Sequence, residues 1–173
     1  MATYDYFEFG IFDDRDTAET AVNRLHGLGY QPDEIGVMMS DKTAARDFAH
    51  DTGSKVAKGA ATGAAIGGGL GAIIAGLTAT GSVATIVGTG GAAAPIVAGP
   101  LAAALAGLGV GGAAGGILGA LVGAGIPEHR AREYQDRLNQ GGILLGVRPR
   151  IDDRERVREV LDEGEEATRH SRN

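Results

Sequence analysis

Three acidic residues near the start of the chain, Asp13, Asp14 and Asp16, lie close enough together in the sequence to suggest a cation site. Carboxylates are the ligands that hard divalent cations prefer. The same residues directly precede apolar side chains at helical spacing, and negative charge is favoured at a helix N-terminus. We therefore interpret them as the beginning of a helix rather than as metal ligands.

The other groups capable of chemistry lack partners at a useful spacing. No two of the four histidines have the spacing of metal ligands: they are His26, His50, His129 and His170. Glu128, His129 and Arg130 suggest acid–base catalysis, but a solvated first helical turn explains them as well. The segment 63–71, GAAIGGGLG, lacks the lysine of a phosphate-binding loop and follows no strand. Because the chain also has no cysteine, the sequence predicts a non-enzymatic protein with no cofactor and no metal.

Charge is distributed unevenly along the 173 residues. The net charge of −6 argues against a nucleic-acid partner, which would require a basic surface. Residues 59–127 contain no Asp, Glu, Lys, Arg or His and are rich in glycine and alanine. We predict four parts: the N-terminal half of an α/β module (1–52), an apolar insert (53–126), the C-terminal half of the module (127–164) and a flexible tail (165–173).

The parts that flank the insert carry the patterns of one small α/β module. Residues 6–12, 34–40 and 142–148 alternate in hydropathy and predict three strands. Helices are predicted after each strand and before the third. The first ends at Gly27 or Gly29. The helix before the third strand begins at Pro127 and ends at Gly141, and the last helix ends near Gly164. Each flank alone is too short for an independent core. The predicted fold class is therefore α+β, a three-stranded α/β sandwich with helices on one face, in a ferredoxin-like or split βαβ arrangement.

Gly10, Gly36 and Gly146 each fall on the less apolar face of a predicted strand. Glycine weakens a strand and often marks the close approach of another backbone. Two interpretations stay open, simple irregularity of the strands or packing of this sheet face on the insert or on another subunit.

The insert contains glycine at every fourth position in two runs, which we call the glycine zipper. Residues four apart form one ridge of an α-helix, and glycine on a ridge lets two helices approach closely. We expect antiparallel helices over 53–77 and 101–126, joined by a turn region over 78–100 and packed through these ridges. The predicted packing residues are Gly59, Gly63, Gly67 and Gly71 in the first helix and Gly107, Gly111, Gly115, Gly119 and Gly123 in the second.

Such a hairpin must bury its apolar surface, and two environments remain open. Each helix is long enough to cross a bilayer. Lys55, Lys58, Arg130 and Arg132 flank the pair as expected when both ends lie in the cytoplasm. The predicted location is then the cytoplasmic membrane, with lipid and further copies of the chain as partners. Because many residues are Ala or Gly, the alternative is a soluble cytoplasmic homo-oligomer, a scaffold or carrier that encloses a lipid-like or quinone-like ligand.

The chain resembles the bacterial general stress proteins with a YflT-like (17M-like) N-terminal module, which are described as heat- or low-temperature-induced. The residues that carry the resemblance are FGIFDDRDTAETAVNRLHGLGYQPDEIGVMMSD, GPLAAALAGLGVGGAAGGILGALVGAGIPEHRAREY and GGILLGVRPR. The resemblance covers about residues 10–150. It implies a stress-induced, non-enzymatic protein and brings no catalytic or ligand-binding residues with it.

Overall fold

The structure, a computed structural model, describes residues 7–39, 83–85, 96–98, 100–101 and 116–170. The elements in this part of the chain are β1 (Glu8–Phe12), α1 (Arg15–Gly27), β2 (Ile35–Met39), β3 (Val83–Thr85), β4 (Ile96–Ala98), α2 (Gly116–Gly123), α3 (Glu128–Asn139), β5 (Ile143–Val147) and α4 (Arg154–His170). Single turns of 3-10 helix, Pro32–Glu34 and Ile151–Asp153, precede β2 and α4. The predicted helix over 53–77 lies outside the described residues.

The predicted α+β fold class is confirmed. The three predicted strands pair antiparallel in the order β1-β5-β2, so the third strand in sequence inserts between the two strands joined by α1. This is the order of a split βαβ unit. The insert extends the same sheet, because β4 pairs with β2 and β3 pairs with β4. Part of the segment predicted as a turn region over 78–100 is therefore strand.

Helices cover both faces of the sheet, which corrects the expectation that they lie on one face. On one face, α1 and α4 pack through apolar residues such as Val22, Leu25 and Leu161 onto Ile35 and Leu145. On the other face, a second core joins α2 and α3 to the sheet. Its members are all buried: Ile11, Met38, Val97, Leu101, Ile117, Ala120, Leu121, Ile126, Ala131, Tyr134, Leu138 and Leu144. The insert thus supplies part of the core of the module.

Three helices end in the same way, at a glycine with positive φ. Gly29, Gly125 and Gly141 have φ values of 87°, 91° and 103°. After α1, the amide of Tyr30 donates to the carbonyl of Leu25 (3.1 Å), and Gly29 donates to His26 (2.9 Å). This pair of bonds satisfies the last helical carbonyls, and glycine adopts the left-handed conformation without steric cost. Of the two predicted ends of α1, Gly27 is the last helical residue and Gly29 is the left-handed residue that follows the cap. The predicted end of α3 at Gly141 is confirmed.

Helix α4 does not end near Gly164, and this prediction is wrong. The helix continues to His170, so residues 165–170 of the predicted flexible tail are helical. Gly164 serves a different purpose, because a Cβ at this position would lie 2.2 Å from Cε1 of the buried Phe12. The glycine lets α4 approach β1 closely and does not terminate the helix.

The glycine in β2 has a comparable role. A Cβ at Gly36 would lie 2.5 Å from Cβ of Leu101 and 3.0 Å from its backbone nitrogen. Gly146 is the cross-strand partner of Gly36. A Cβ at Gly146 would lie 3.1 Å from the ring of Phe9 and 3.7 Å from Cδ2 of Leu101. At Gly36 the insert is what approaches the sheet, whereas at Gly146 the ring of Phe9 lies nearer than the insert. Gly10 faces the opposite side, where a Cβ would lie 3.0 Å from Cβ of Leu161 in α4.

Candidate functional site

The structure describes two of the nine predicted zipper residues, Gly119 and Gly123, both in α2. The other seven lie outside the described residues: Gly59, Gly63, Gly67, Gly71, Gly107, Gly111 and Gly115. The close packing of the two predicted zipper helices therefore stays a prediction. What the structure adds is the orientation of the last turns of the second helix relative to the α/β module.

Helix α2 packs on the module with the face that bears its larger side chains. Ile117, Ala120 and Leu121 are buried in the second core. Gly119 is half-buried and Gly123 is exposed. At 100° per residue, the zipper glycines point roughly 130° away from the middle of the buried face. The ridge that carries them is thus directed away from the core of the module, and beside it Val122 is 41% exposed.

The end of α2 is fixed tightly to the module. The amide of Ile126 donates to the carbonyl of Leu121 (3.1 Å), and Gly125 donates to Val122 (3.0 Å). Ile126 is itself buried, and Pro127 directly precedes α3. Because this connection is short and buried on one side, the direction of α2 is determined by the module.

The predicted positive flank of the insert is partly neutralised by neighbouring acids. Nη2 of Arg132 donates to Oε1 of Glu128 at 2.6 Å, one helical turn away. Nη2 of Arg130 donates to the hydroxyl of Tyr134 at 2.6 Å and lies 3.8 Å from Oε2 of Glu165. Lys55 and Lys58 lie outside the described residues. In the part of the chain that the structure describes, no helix combines the length and hydropathy that crossing a bilayer requires.

The acidic residues near the start of α1 make contacts within the protein. Oδ1 of Asp14 accepts a hydrogen bond from the amide of Thr17 (2.9 Å), which is the contact of a helix N-cap. Asp13 instead accepts from Nε of Arg137 at 3.0 Å. Glu128, His129 and Arg130 are exposed in the first turn of α3. Across the described ranges, no group of three or more His, Asp or Glu side chains could hold a metal ion.

A buried ion-pair cluster connects β1, α3 and α4, and the sequence analysis missed it. Arg137 is 8% exposed and Glu165 is 6% exposed. Nη1 of Arg137 donates to Oε1 of Glu165 (3.1 Å), Nε donates to Asp13, and Nη2 donates to the carbonyl of Ile11 (3.0 Å). Removing one partner of such a buried pair typically costs about 3–5 kcal/mol. The sequence does indicate the position of Glu165. Val157, Leu161 and Glu165 follow at intervals of four residues and therefore share one face of a helix that continues past Gly164.

Comparison of the chain with models of known protein families, with curated proteins and with solved structures finds no match.

Proposed function

We propose that this chain is a non-enzymatic general stress protein that self-associates through the glycine zipper of its insert and anchors to the cytoplasmic membrane through the same segment. The α/β module then caps the assembly on the cytoplasmic side, where both termini lie. The stress role rests on the family resemblance. The self-association rests on the zipper spacing and on the structure of α2.

The observation that carries the proposal is that only one face of α2 is buried against the α/β module. Its Ile117, Ala120 and Leu121 face is occupied by the module, whereas its Gly119 and Gly123 ridge is directed elsewhere. Glycine within a helix costs about 1 kcal/mol relative to alanine. Close packing of another helix on that ridge would offset this cost, and the ridge is oriented to receive one.

A soluble homo-oligomer is the second candidate, and the same helix favours it. Ile117, Ala120 and Leu121 pack on the α/β module, which supports a protein rather than a lipid environment for this part of the helix. Even as a continuous helix, residues 101–115 would span about 22 Å, less than the ~30 Å of a hydrocarbon core. In this candidate the zipper helices pack on copies of themselves in water and enclose a lipid-like or quinone-like ligand.

Substitution on the zipper ridge tests self-association. We expect Gly115→Leu and Gly123→Leu to abolish chemical crosslinking between copies, because a leucine side chain separates helices that meet at van der Waals distance. Val122→Leu is the matched control, since it enlarges an exposed side chain of α2 that lies off the ridge. Circular dichroism should show an intact α/β fold in all three. Wild-type crosslinking by both glycine variants would contradict the proposal.

Cell fractionation distinguishes the two candidates. Recovery in the membrane pellet with release only by detergent is the result expected for the anchored protein. A discrete high-mass particle in detergent-free buffer is the result expected for the soluble assembly, and it would overturn the anchoring part of the proposal.

A further inference from the structure

A cavity of about 330 Å³ lies where the start of β1 and the turn between α2 and α3 meet the N-terminal halves of α3 and α4. Its walls include the side chains of Phe9 and Tyr134 together with Ile126, Pro127 and Leu161. This volume is at the small end of ligand sites. The cavity therefore suits a molecule with one ring or a comparable apolar body.

Three arginines border this cavity: Arg130 from α3, and Arg154 and Arg158 from α4. Only two carboxylates, Glu8 and Asp162, line it as well, so the lining carries one excess positive charge in a protein of net charge −6. The side chains of the three arginines are about half exposed, at 46%, 50% and 54%. An anion entering from solvent can reach them.

One carboxylate oxygen brings two of these guanidinium groups together. Oε1 of Glu8 accepts from Nε of Arg154 (2.8 Å) and from Nη2 of Arg158 (3.1 Å). A single negative charge is thus shared between two positive charges. Each guanidinium has five donors, and its fork geometry matches the oxygens of a carboxylate or phosphate.

The opposite wall supplies a neutral donor and an apolar surface. The hydroxyl of Tyr134 accepts from Arg130 (2.6 Å), and burial raises the pKa of Tyr134 to about 12. A tyrosine hydroxyl is protonated at neutral pH at its ordinary pKa of 10.0 as well, so this hydroxyl has a proton to donate. Phe9, Ile126 and Leu161 supply apolar surface to the same lining.

We propose that this cavity binds a small organic oxyanion, a carboxylate or phosphate carried on a ring-sized apolar body. Arg130, Arg154 and Arg158 hold the oxyanion at the mouth, and the apolar body packs against Phe9, Tyr134 and Leu161. The site belongs to the α/β module and does not depend on the proposed self-association.

Calorimetric titration of the full chain with phenyl phosphate and with benzoate tests the proposal. We expect saturable binding of at least one of these two probes, weaker binding of inorganic phosphate, and none of phenol, because the site requires both the charge and the ring. Arg130→Gln and Arg158→Gln should each weaken binding about tenfold, the loss expected for one charge-assisted hydrogen bond. Ala124→Phe fills the cavity without changing its charge and should abolish binding.

Two controls remove the same charge nearby. Arg132→Gln in α3 and Arg156→Gln in α4 change side chains outside the cavity lining, and both should bind as wild type. If the control variants and the cavity variants weaken ligand binding equally, the loss depends on net charge alone, and the proposal is overturned. Absence of saturable binding by both phenyl phosphate and benzoate up to about 10 mM would overturn it as well.

The oxyanion could be a free molecule or the headgroup of a lipid. Co-sedimentation with phosphatidylcholine vesicles that contain phosphatidic acid separates these sources. Sedimentation that phenyl phosphate reverses places the oxyanion on a lipid headgroup. Binding of soluble phenyl phosphate or benzoate without vesicle sedimentation identifies a free anion. Arg158→Gln should weaken binding in whichever assay detects it, calorimetry or vesicle co-sedimentation. If this variant binds as wild type in both assays, the proposed oxyanion site is contradicted.

Discussion

Gly164 shows how a single residue type answers two different structural needs. In a sequence, glycine near the end of an apolar stripe predicts helix termination. Gly164 instead lies within α4. It is glycine because the fully buried ring of Phe12 occupies the space that a Cβ would need. The distinction depends on a residue far away in sequence, so local pattern alone does not reveal it.

Gly164→Ala should therefore destabilise the protein. Alanine gains about 1 kcal/mol of helix propensity, but overpacking against a buried ring costs about 1–3 kcal/mol. A Cβ 2.2 Å from Cε1 of Phe12 places the overpacking cost in the upper half of that range, about 2–3 kcal/mol. We therefore expect a net loss of roughly 1–2 kcal/mol in the free energy of unfolding, measured by urea denaturation. Gly27→Ala is the matched control, because a Cβ there meets nothing within 4 Å. It should be neutral or stabilising, and a Gly164→Ala protein as stable as wild type would contradict this account.

Tyr134 makes stability depend on pH in the alkaline range. Burial raises its pKa from 10.0 to about 12 in the folded protein. Between these values the unfolded chain loses the phenolic proton while the folded chain retains it. The stabilisation is complete below the unfolded pKa and is lost as pH rises through the folded one.

We expect the free energy of unfolding to fall more steeply in wild type than in Tyr134→Phe between pH 10.0 and about 12. Chemical denaturation at several pH values in this window measures both slopes. The variant also loses the hydrogen bond from Arg130, so the slopes rather than the absolute values are compared. Identical slopes would show that Tyr134 does not carry this dependence.

Among the elements, those with long local patterns could be predicted from sequence, and the short ones could not. Strands β1, β2 and β5 and helices α1 and α3 follow alternation, helical periodicity and glycine stops. Strands β3 and β4 have three residues each, too few for alternation to register, and β4 lies between Pro95 and Pro100, where a turn was the natural interpretation. β4 pairs with β2, a partner distant in sequence, and β3 pairs only with β4 among the described strands.

The contact between β2 and the insert can be measured with a double-mutant cycle. Gly36→Ala should cost about 1–3 kcal/mol in the free energy of unfolding, because its Cβ would overlap Leu101. Leu101→Ala should cost about 2–5 kcal/mol, since it leaves a cavity under the sheet. Alanine at position 101 keeps the Cβ that a side chain at Gly36 would overlap. The space left by the rest of the leucine side chain lets this segment shift away from β2, so we expect the double variant to lose about 1 kcal/mol less than the sum. Strict additivity would show that the two residues do not interact as described.

The periodicity of individual helices and strands could not predict the buried ion-pair cluster around Arg137. Its members come from the end of β1, from α3 and from α4, and no spacing in the sequence relates them. The same holds for the oxyanion cavity, whose three arginines come from two helices separated by β5. The sequence predicts which helices form, whereas the pairing of side chains between helices depends on how the sheet places them.

For the molecule as a whole, the predicted division into module and insert needs one revision. The insert was expected to form a separate helical hairpin, yet β3, β4, Leu101 and α2 all belong to the sheet or its second core. Half of the buried residues of the second core thus come from residues that composition alone assigns to a different unit. The physical reason is that a three-stranded sheet with helices on one side leaves an apolar face that must be covered.

The pairing of β2 with β4 has a further consequence for chain topology. Met39 and Ile96 are cross-strand partners, so the chain returns to the sheet beside the point where it leaves, after contributing β3 to the far side of β4. Residues 40–82 connect β2 to β3, and the entropy of closing such a connection grows only with the logarithm of its length. Doubling that length would therefore cost about 0.6 kcal/mol. Lengthening or exchange of residues 40–82 is thermodynamically cheap for the host sheet, which makes this segment a transferable cassette.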